Sequence, residues 1–135
     1  MFKRLFSMMA VLVICVASVS NTVFAVEITP YWSYTSTCSS TLSISGRTAT
    51  CTSKATGYLG TTTKIVISQT LQKEVSSNKW SEIESWSETV NSFVGSATNY
   101  SYNLSNGTYR LKSVFTVYSG SKHETITKYS SEKTI

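Results

Sequence analysis

Apolar and polar positions alternate most regularly between Leu104 and Ser119. The pair Asn106-Gly107 suits a tight turn, and the residues after it fall on two faces. The first face holds Tyr109, Leu111, Ser113, Phe115 and Val117, and the second holds Arg110, Lys112, Val114, Thr116 and Tyr118. This period of two residues predicts a long strand that is buried on one side only.

Similar alternation and turn signals recur along the rest of the chain. They predict strands at residues 27–32, from Leu42 onward, and at 48–55, 64–72, 80–90, 97–104, 109–119 and 124–129. Turns are predicted at Gly46-Arg47, at 76–79 and at Gly120-Ser121. Short strands at this spacing predict an all-β fold, an immunoglobulin-like antiparallel β-sandwich of about seven strands.

Residues 80–90 admit two interpretations. Their apolar residues recur at helical spacing, as Trp80, Ile83, Trp86 and Val90. However, serine and threonine fill the gaps, and no capping motif precedes the segment. We therefore expect a strand with a β-bulge and keep a helix as the alternative.

Gln69 interrupts the apolar face of the strand at 64–72, which it shares with Ile65, Ile67 and Leu71. A buried amide needs hydrogen-bond partners. We expect Gln69 either to find backbone partners inside the core or to lie where the strand leaves the core.

The spacing of Leu104, Gly107 and Tyr109 matches the tyrosine corner of immunoglobulin-like sandwiches. In that corner, the tyrosine hydroxyl binds a backbone group a few residues upstream. We expect Tyr109 to serve the fold and to have no role in activity.

The first 25 residues have the pattern of a secretory signal peptide. Lys3 and Arg4 precede an apolar core at 5–16, and Val23-Phe24-Ala25 forms a small-residue cleavage site. The apolar run is shorter than the roughly 20 residues that span a bilayer. We expect cleavage after Ala25, a single domain at 26–135, and a secreted, extracellular protein without stable membrane insertion. An uncleaved anchor is the alternative.

Charge sets limits on the partners of the mature chain. The full sequence has 12 basic and seven acidic residues, and loss of Lys3 and Arg4 leaves a net charge of about +3. The basic residues are spread singly between Arg47 and Lys133, so no patch for nucleic acid forms. Attraction to an anionic polymer of the cell envelope is compatible with this balance.

The residues that most enzymes use are scarce. The sequence has one histidine, His123, and no aspartate, which excludes a Ser-His-Asp triad and disfavours a His/Cys zinc site. Glu82, Glu84 and Glu88 form the only acidic cluster, and glycoside hydrolysis needs paired carboxylates. Solvent-facing charges explain that cluster better, so we expect no enzyme, no metal and no cofactor.

Cys38 and Cys51 form an even pair in an exported chain, which favours a structural disulfide over two free thiols. One observation conflicts with the bridge. A tight turn at Gly46-Arg47 places Cys38 opposite Ala55, whereas bridged Cα atoms must lie within about 7 Å. The disulfide therefore requires a looser turn or a Cys38 that lies outside the ladder.

Aromatic side chains are the other candidates for binding. Tyr31, Trp32, Tyr34 and Tyr58 lie in predicted loops or at a strand end, where aromatic platforms can contact sugars or proteins. Ordinary packing in the core or at a sheet edge is the alternative explanation.

One further pattern extends over nearly the whole mature chain. It comprises Cys38, Cys51, TGYLGTTTKIVISQTLQK, Trp80, ESWS, GTYRLK and VYSGSK followed by ETIT. In order and spacing, these segments resemble small secreted proteins of Gram-positive bacteria with no assigned function. The resemblance implies a secreted sandwich and supplies no catalytic residues. Many such sequences have an apolar residue where this chain has Gln69.

These observations favour a secreted, non-enzymatic module that engages the cell envelope or another extracellular surface. A cell-wall polymer or an extracellular protein is the expected partner. The alternative is a bacteriocin-like or toxin-like antagonist of neighbouring cells, which the mild positive charge and the aromatic residues allow.

Overall fold

The computed structural model describes residues 31–135, and all regular secondary structure in that range is strand. The strands are β1 (Thr35–Ser45), β2 (Thr48–Gly57), β3 (Lys64–Ser76), β4 (Lys79–Val90), β5 (Val94–Ser101), β6 (Thr108–Ser119), β7 (Lys122–Tyr129) and β8 (Lys133–Thr134). The predicted all-β fold is confirmed. The predicted signal peptide, its cleavage site and most of the strand at 27–32 lie outside the described residues.

The strands form two antiparallel sheets. One has the order β1-β2-β5, and the other has the order β4-β3-β6-β7, with β8 also pairing with β6. In the constant-type immunoglobulin arrangement, strands A, B, E and D face strands C, F and G. Here β1, β2 and β5 occupy the places of A, B and E, while β4 pairs with β3 in the second sheet instead of with β5. The three-stranded sheet thereby packs against a larger partner.

Tight hairpins fix the strand register. Ser45 pairs with Thr48 across Gly46-Arg47, and Ser119 pairs with Lys122 across Gly120-Ser121. Gly46 and Gly120 both have φ of 60°, a left-handed conformation that glycine adopts at little cost. These are the turns that the sequence predicts.

The structure decides between the two interpretations of residues 80–90 and corrects the start of the first strand. Residues 79–90 form a strand whose register against β3 shifts between Leu71 and Gln72, so the bulged strand is confirmed and the helix is excluded. The first described strand begins at Thr35, seven residues before the predicted start at Leu42. The sequence did not indicate this part of the strand, because its serine and threonine residues carry little hydrophobic signal. Tyr31 and Trp32 precede it and are not in a strand.

Two apolar clusters fill the space between the sheets. The first consists of Leu42, Ala49, Cys51, Leu71, Leu104, Tyr109 and Leu111. The second consists of Ala55, Ile65, Ile67, Ala97, Phe115, Val117 and Ile126. Each of the three central strands carries one buried polar residue between members of the two clusters: Ser53 on β2, Gln69 on β3 and Ser113 on β6.

Gln69 lies at the centre of this polar layer, with 1% of its surface exposed. Its Nε2 contacts three acceptors: the carbonyl of Cys51 at 3.1 Å, Oγ of Ser53 at 2.8 Å and the carbonyl of Ala97 at 3.1 Å. Its Oε1 accepts a hydrogen bond from Nδ2 of Asn99 at 2.7 Å. The first of the two expectations for Gln69 therefore holds, because the amide finds its partners inside the core.

Serine hydroxyls extend the polar layer to β1. The Oγ atoms of Ser53 and Ser113 lie 2.6 Å apart, and Ser113 donates to Ser40 at 2.8 Å. Ser40 in turn donates to the carbonyl of Leu111 at 3.1 Å. The layer crosses both sheets, and a shift of either sheet along its strands would separate these partners.

Tyr109 closes the corner at the start of β6. The side chain is 1% exposed, and its hydroxyl donates to the carbonyl of Ser105 at 2.7 Å. Gly107 has φ of 155°, and a Cβ added there would lie 2.5 Å from Cε of Lys73. This geometry accounts for the glycine and the tyrosine at their positions in the pattern, while Leu104 belongs to the first apolar cluster.

Replacing Tyr109 by phenylalanine should lower stability by about 1 kcal/mol, because the partly buried hydrogen bond from its hydroxyl to the carbonyl of Ser105 is lost. Chemical denaturation should show a lower midpoint at an unchanged m-value. Tyr118→Phe is the matched control, since Tyr118 lies on the opposite face of the same strand and should have little effect. Equal, negligible effects of both changes would refute a structural role for the Tyr109 hydroxyl.

The expected Cys38–Cys51 disulfide is wrong, because both cysteines are free. The tight turn at Gly46-Arg47 pairs Cys38 with Ala55 and Cys51 with Leu42. Four strand positions of about 3.3 Å each therefore separate the two residues along the ladder. Burial raises the pKa of the Cys51 thiol to about 12, with a smaller contribution from Glu84, so the group stays protonated at neutral pH. Burial also raises the pKa of Cys38.

Candidate binding surface

The four aromatic residues singled out near the start of the domain divide into two pairs. Tyr31 is 94% exposed and Tyr58 is 46% exposed. Trp32 and Tyr34 instead pack against the second apolar cluster, and Nζ of Lys128 lies 5.2 Å from the centroid of the Trp32 ring. The structure does not bring the four together as one platform, because half of them contribute to packing.

A carboxylate on β7 holds the backbone next to these aromatic residues. Glu124 accepts hydrogen bonds from the backbone N–H groups of Ser33 at 2.9 Å and Tyr34 at 2.6 Å, and from Oγ1 of Thr35 at 3.0 Å. Thr35 begins a strand of one sheet, whereas Glu124 belongs to the other. Glu124 therefore connects the two sheets by hydrogen bonds and has a structural role.

The outer face of the larger sheet presents an ordered arrangement of polar and aromatic groups across its four long strands, β4, β3, β6 and β7. The middle of this face is a field of small side chains that we call the hydroxyl floor, formed by Ser68, Thr70, Ser85, Ser87, Thr89, Thr116, Thr125 and Thr127 together with Val66 and Val114. On β3 and β6 these positions alternate with buried residues, and the β4 and β7 members pair with them across the sheet. Cationic and aromatic side chains flank the floor at both ends.

One end of the floor is occupied by the Arg110 stack, which comprises Trp80, Gln72, Arg110 and Tyr129. Each of the four strands supplies one of these residues. The guanidinium carbon lies 4.1 Å from the centroid of the Trp80 ring and 4.3 Å from that of Tyr129. Nε of Arg110 donates to Oε1 of Gln72 at 2.8 Å. Within residues 31–135, this is the only hydrogen bond of the guanidinium, so neither Nη group has a protein acceptor there.

The other end is the Tyr118 corner, formed by Lys64, Tyr118 and His123. Tyr118 on β6 pairs with Lys64 on β3 and with His123 on β7. Nζ of Lys64 lies 4.2 Å from the centroid of the Tyr118 ring, and the ring centroids of Tyr118 and His123 are 5.3 Å apart. Eight strand positions separate Arg110 from Tyr118, a distance of about 26 Å. The two ends can therefore contact an extended ligand at the same time.

The charges on this face are mostly positive. Lys64, Arg110 and Lys112 all project from β3 and β6 between or beside the two ends. Glu74 and Glu82 pair with Trp80 and Gln72 and place negative charge on the β4 side of the Arg110 stack. An anionic ligand is therefore favoured over the β6 and β7 half of the face.

The outer face of the three-stranded sheet differs from this surface in charge. It carries mostly serine and threonine, with Lys54 as its only charged residue among the described strands. Tyr100 and Tyr102 stack at one corner with ring centroids 6.4 Å apart. This face offers hydroxyls and aromatic surface but not an arginine held between two rings.

The residues considered for catalysis do not assemble into a site. Glu82, Glu84 and Glu88 are all exposed on β4, and His123 is exposed at the start of β7. Within residues 31–135, no group of histidine, cysteine and acidic residues could hold a metal ion. No pocket opens in the described part of the chain, and none of its segments is a helix able to cross a bilayer.

Sequence reasoning assigned Arg110 and Lys112 to the outer face of their strand but did not identify the Arg110 stack. The stack depends on pairing, since Trp80 lies 30 positions before Arg110 and Tyr129 lies 19 positions after it. The strand order β4-β3-β6-β7, together with the register shift between Leu71 and Gln72, places all of these side chains on one surface.

Comparison of the chain with protein-family models, with curated proteins and with solved structures found no match in any of the three.

Proposed function

We propose that this chain is a secreted, non-enzymatic module that engages the cell envelope through the outer face of its larger sheet. The observation that carries the proposal is the Arg110 stack, in which an arginine contacts the rings of Trp80 and Tyr129 and neither of its Nη groups has an acceptor within residues 31–135. Export is supported by the signal-peptide pattern of residues 1–25.

The physical properties of this face suit binding to an extended polymer. Aromatic rings, hydroxyls and cations are spread over about 26 Å of the sheet surface. Such a surface can make many weak contacts along a chain, whereas a small molecule would use only part of it. Arginine and aromatic side chains are also the residues that contribute most to binding where they are held rigidly.

Co-sedimentation with purified envelope material of the producing cells tests this proposal. Tyr129→Ala should weaken binding by about tenfold, because it removes one wall of the Arg110 stack. Tyr100→Ala is a matched control: Tyr100 is 50% exposed and Tyr129 is 49% exposed, and the two lie on opposite outer faces. The control should bind within about twofold of the unmodified protein.

Three results would contradict the proposal. They are a failure of the protein to sediment with the envelope, equal binding by the two tyrosine variants, and weaker binding by Tyr100→Ala than by Tyr129→Ala. Growth inhibition of neighbouring cells by the purified protein, without binding to the producer's envelope, would favour the antagonist instead.

A further inference from the structure

The structure assigns a ligand class to the Arg110 stack: we infer that it recognises the carboxylate of an acidic polysaccharide. This inference rests on the proposed function, because it names the chemistry of the polymer that the same face binds. It concerns one guanidinium, the groups that orient it and the hydroxyls beside it.

The orientation of Arg110 leaves one edge of the guanidinium for a ligand. The guanidinium carbon lies over the Trp80 ring at 4.1 Å and over the Tyr129 ring at 4.3 Å, and Gln72 accepts the hydrogen bond from Nε. The remaining edge carries the Nη groups. A planar carboxylate can accept two parallel hydrogen bonds from such an edge, a geometry that an ammonium group cannot reproduce. Because the side chain is already held in place, little conformational entropy is lost on binding.

Neighbouring groups favour a polymer with repeated negative charges. Lys112 follows Arg110 by two positions on the same face, about 7 Å away, and lies opposite Tyr129. Lys64 provides a third cation at the Tyr118 corner. Glu74 and Glu82 repel the ligand from the β4 side and direct it along β6 and β7. A chain that carries carboxylates at intervals can meet these cations in turn.

The hydroxyl floor favours a sugar backbone between the charges. Thr116, Thr125 and Thr127 are hydrogen-bond donors and acceptors on β6 and β7, where the cations guide the ligand. Sugar hydroxyls have the same dual capacity. Nucleic acid, by contrast, requires a denser array of cations than three on this face.

Isothermal titration of the protein with polygalacturonate tests the inference directly. We expect binding that Arg110→Lys weakens by about tenfold, since lysine keeps the charge but loses the two-pronged contact and the stacking. Arg47→Lys is the matched control, because it makes the same chemical change at the β1–β2 turn and should leave affinity within about twofold. Pullulan, a neutral polysaccharide, should not bind. Unfolding midpoints of all variants should be compared, and Arg110→Gln should be titrated if the lysine variant proves unstable.

The outcomes separate this inference from the proposed function. Equal affinity of Arg110→Lys and the unmodified protein for polygalacturonate would overturn the inference, as would tighter binding of polyphosphate with the same dependence on Arg110. Envelope binding without polygalacturonate binding would leave the proposed function in place and remove the carboxylate assignment. Polygalacturonate binding without envelope binding would support the carboxylate assignment and contradict the proposed function.

Discussion

Gln69→Met should destabilise the protein by about 3–5 kcal/mol although methionine has a similar length and volume. The amide of Gln69 contacts three acceptors and one donor in a buried site. Methionine removes the buried contacts to Ser53 and to the carbonyls of Cys51 and Ala97, and it also leaves the partly buried amide of Asn99 without its acceptor. Each buried polar group left unpaired costs about 1–3 kcal/mol. Urea denaturation should show this as a large fall in the midpoint at an unchanged m-value.

The same substitution three positions further along β3 is a suitable control. Gln72 is on β3 as well, but it lies on the outer face and is only partly buried. Gln72→Met should therefore cost less than about 1 kcal/mol. A double variant with Ser53→Ala should be more stable than the sum of the single changes predicts, because the two residues share a hydrogen bond. Equal effects at positions 69 and 72 would contradict the account of the polar layer.

Gly57→Ala should cost about 3 kcal/mol, because an added Cβ would collide with the side chain of Thr62. Thr62 cannot rotate away without loss. Its Oγ1 donates to the carbonyl of Tyr34 and accepts from the backbone N–H of Tyr58 at 3.0 Å. Thermal unfolding followed by circular dichroism should show a clear fall in Tm.

Gly95→Ala is the matched control for this prediction. Gly95 is also a buried strand glycine, but its added Cβ would lie 3.4 Å from Cγ2 of Val90, which is an ordinary contact. The control should change stability by less than about 1 kcal/mol. If the two alanine variants unfold at the same temperature, close packing between Gly57 and Thr62 is not what requires the glycine.

Most of the sandwich could be predicted from periodicity and turn chemistry. The alternation in β6 predicts its buried face, and Gly46-Arg47 and Gly120-Ser121 predict two hairpins that the structure contains. The beginning of β1 could not be predicted, because the serine and threonine residues after Thr35 alternate in position but hardly in hydrophobicity. What fixes that segment is distant in sequence: Glu124 binds the backbone just before it.

The disulfide prediction failed because a rule about composition was given more weight than register. An even number of cysteines in an exported chain favours a bridge, yet the two-residue turn at Gly46-Arg47 already placed Cys38 opposite Ala55. Local geometry was the stronger constraint. The register that this tight turn sets keeps the two cysteines apart, whatever the redox compartment of the protein.

The candidate surface illustrates the opposite limit of sequence reasoning. Strand alternation placed Arg110 on an outer face but could not supply its neighbours, because Trp80 and Tyr129 come from other strands. Loop aromatics such as Trp32 and Tyr34 were the more visible candidates in the sequence, and the structure uses them for packing. The contacts of Arg110 follow from sheet order, which depends on the whole chain.

A nitrogen-15 NMR titration of the protein with soluble fragments of the producer's envelope polymer tests the central claim most directly. The account predicts that chemical-shift changes will be largest at the Trp80 indole N–H, at Nε–H of Arg110 and at backbone amides of β6 and β7. The amides of Thr52 and Tyr100, on the outer face of the other sheet, should remain unchanged. Shift changes centred on Tyr100 and Tyr102, or none at concentrations at which the protein sediments with the envelope, would contradict it.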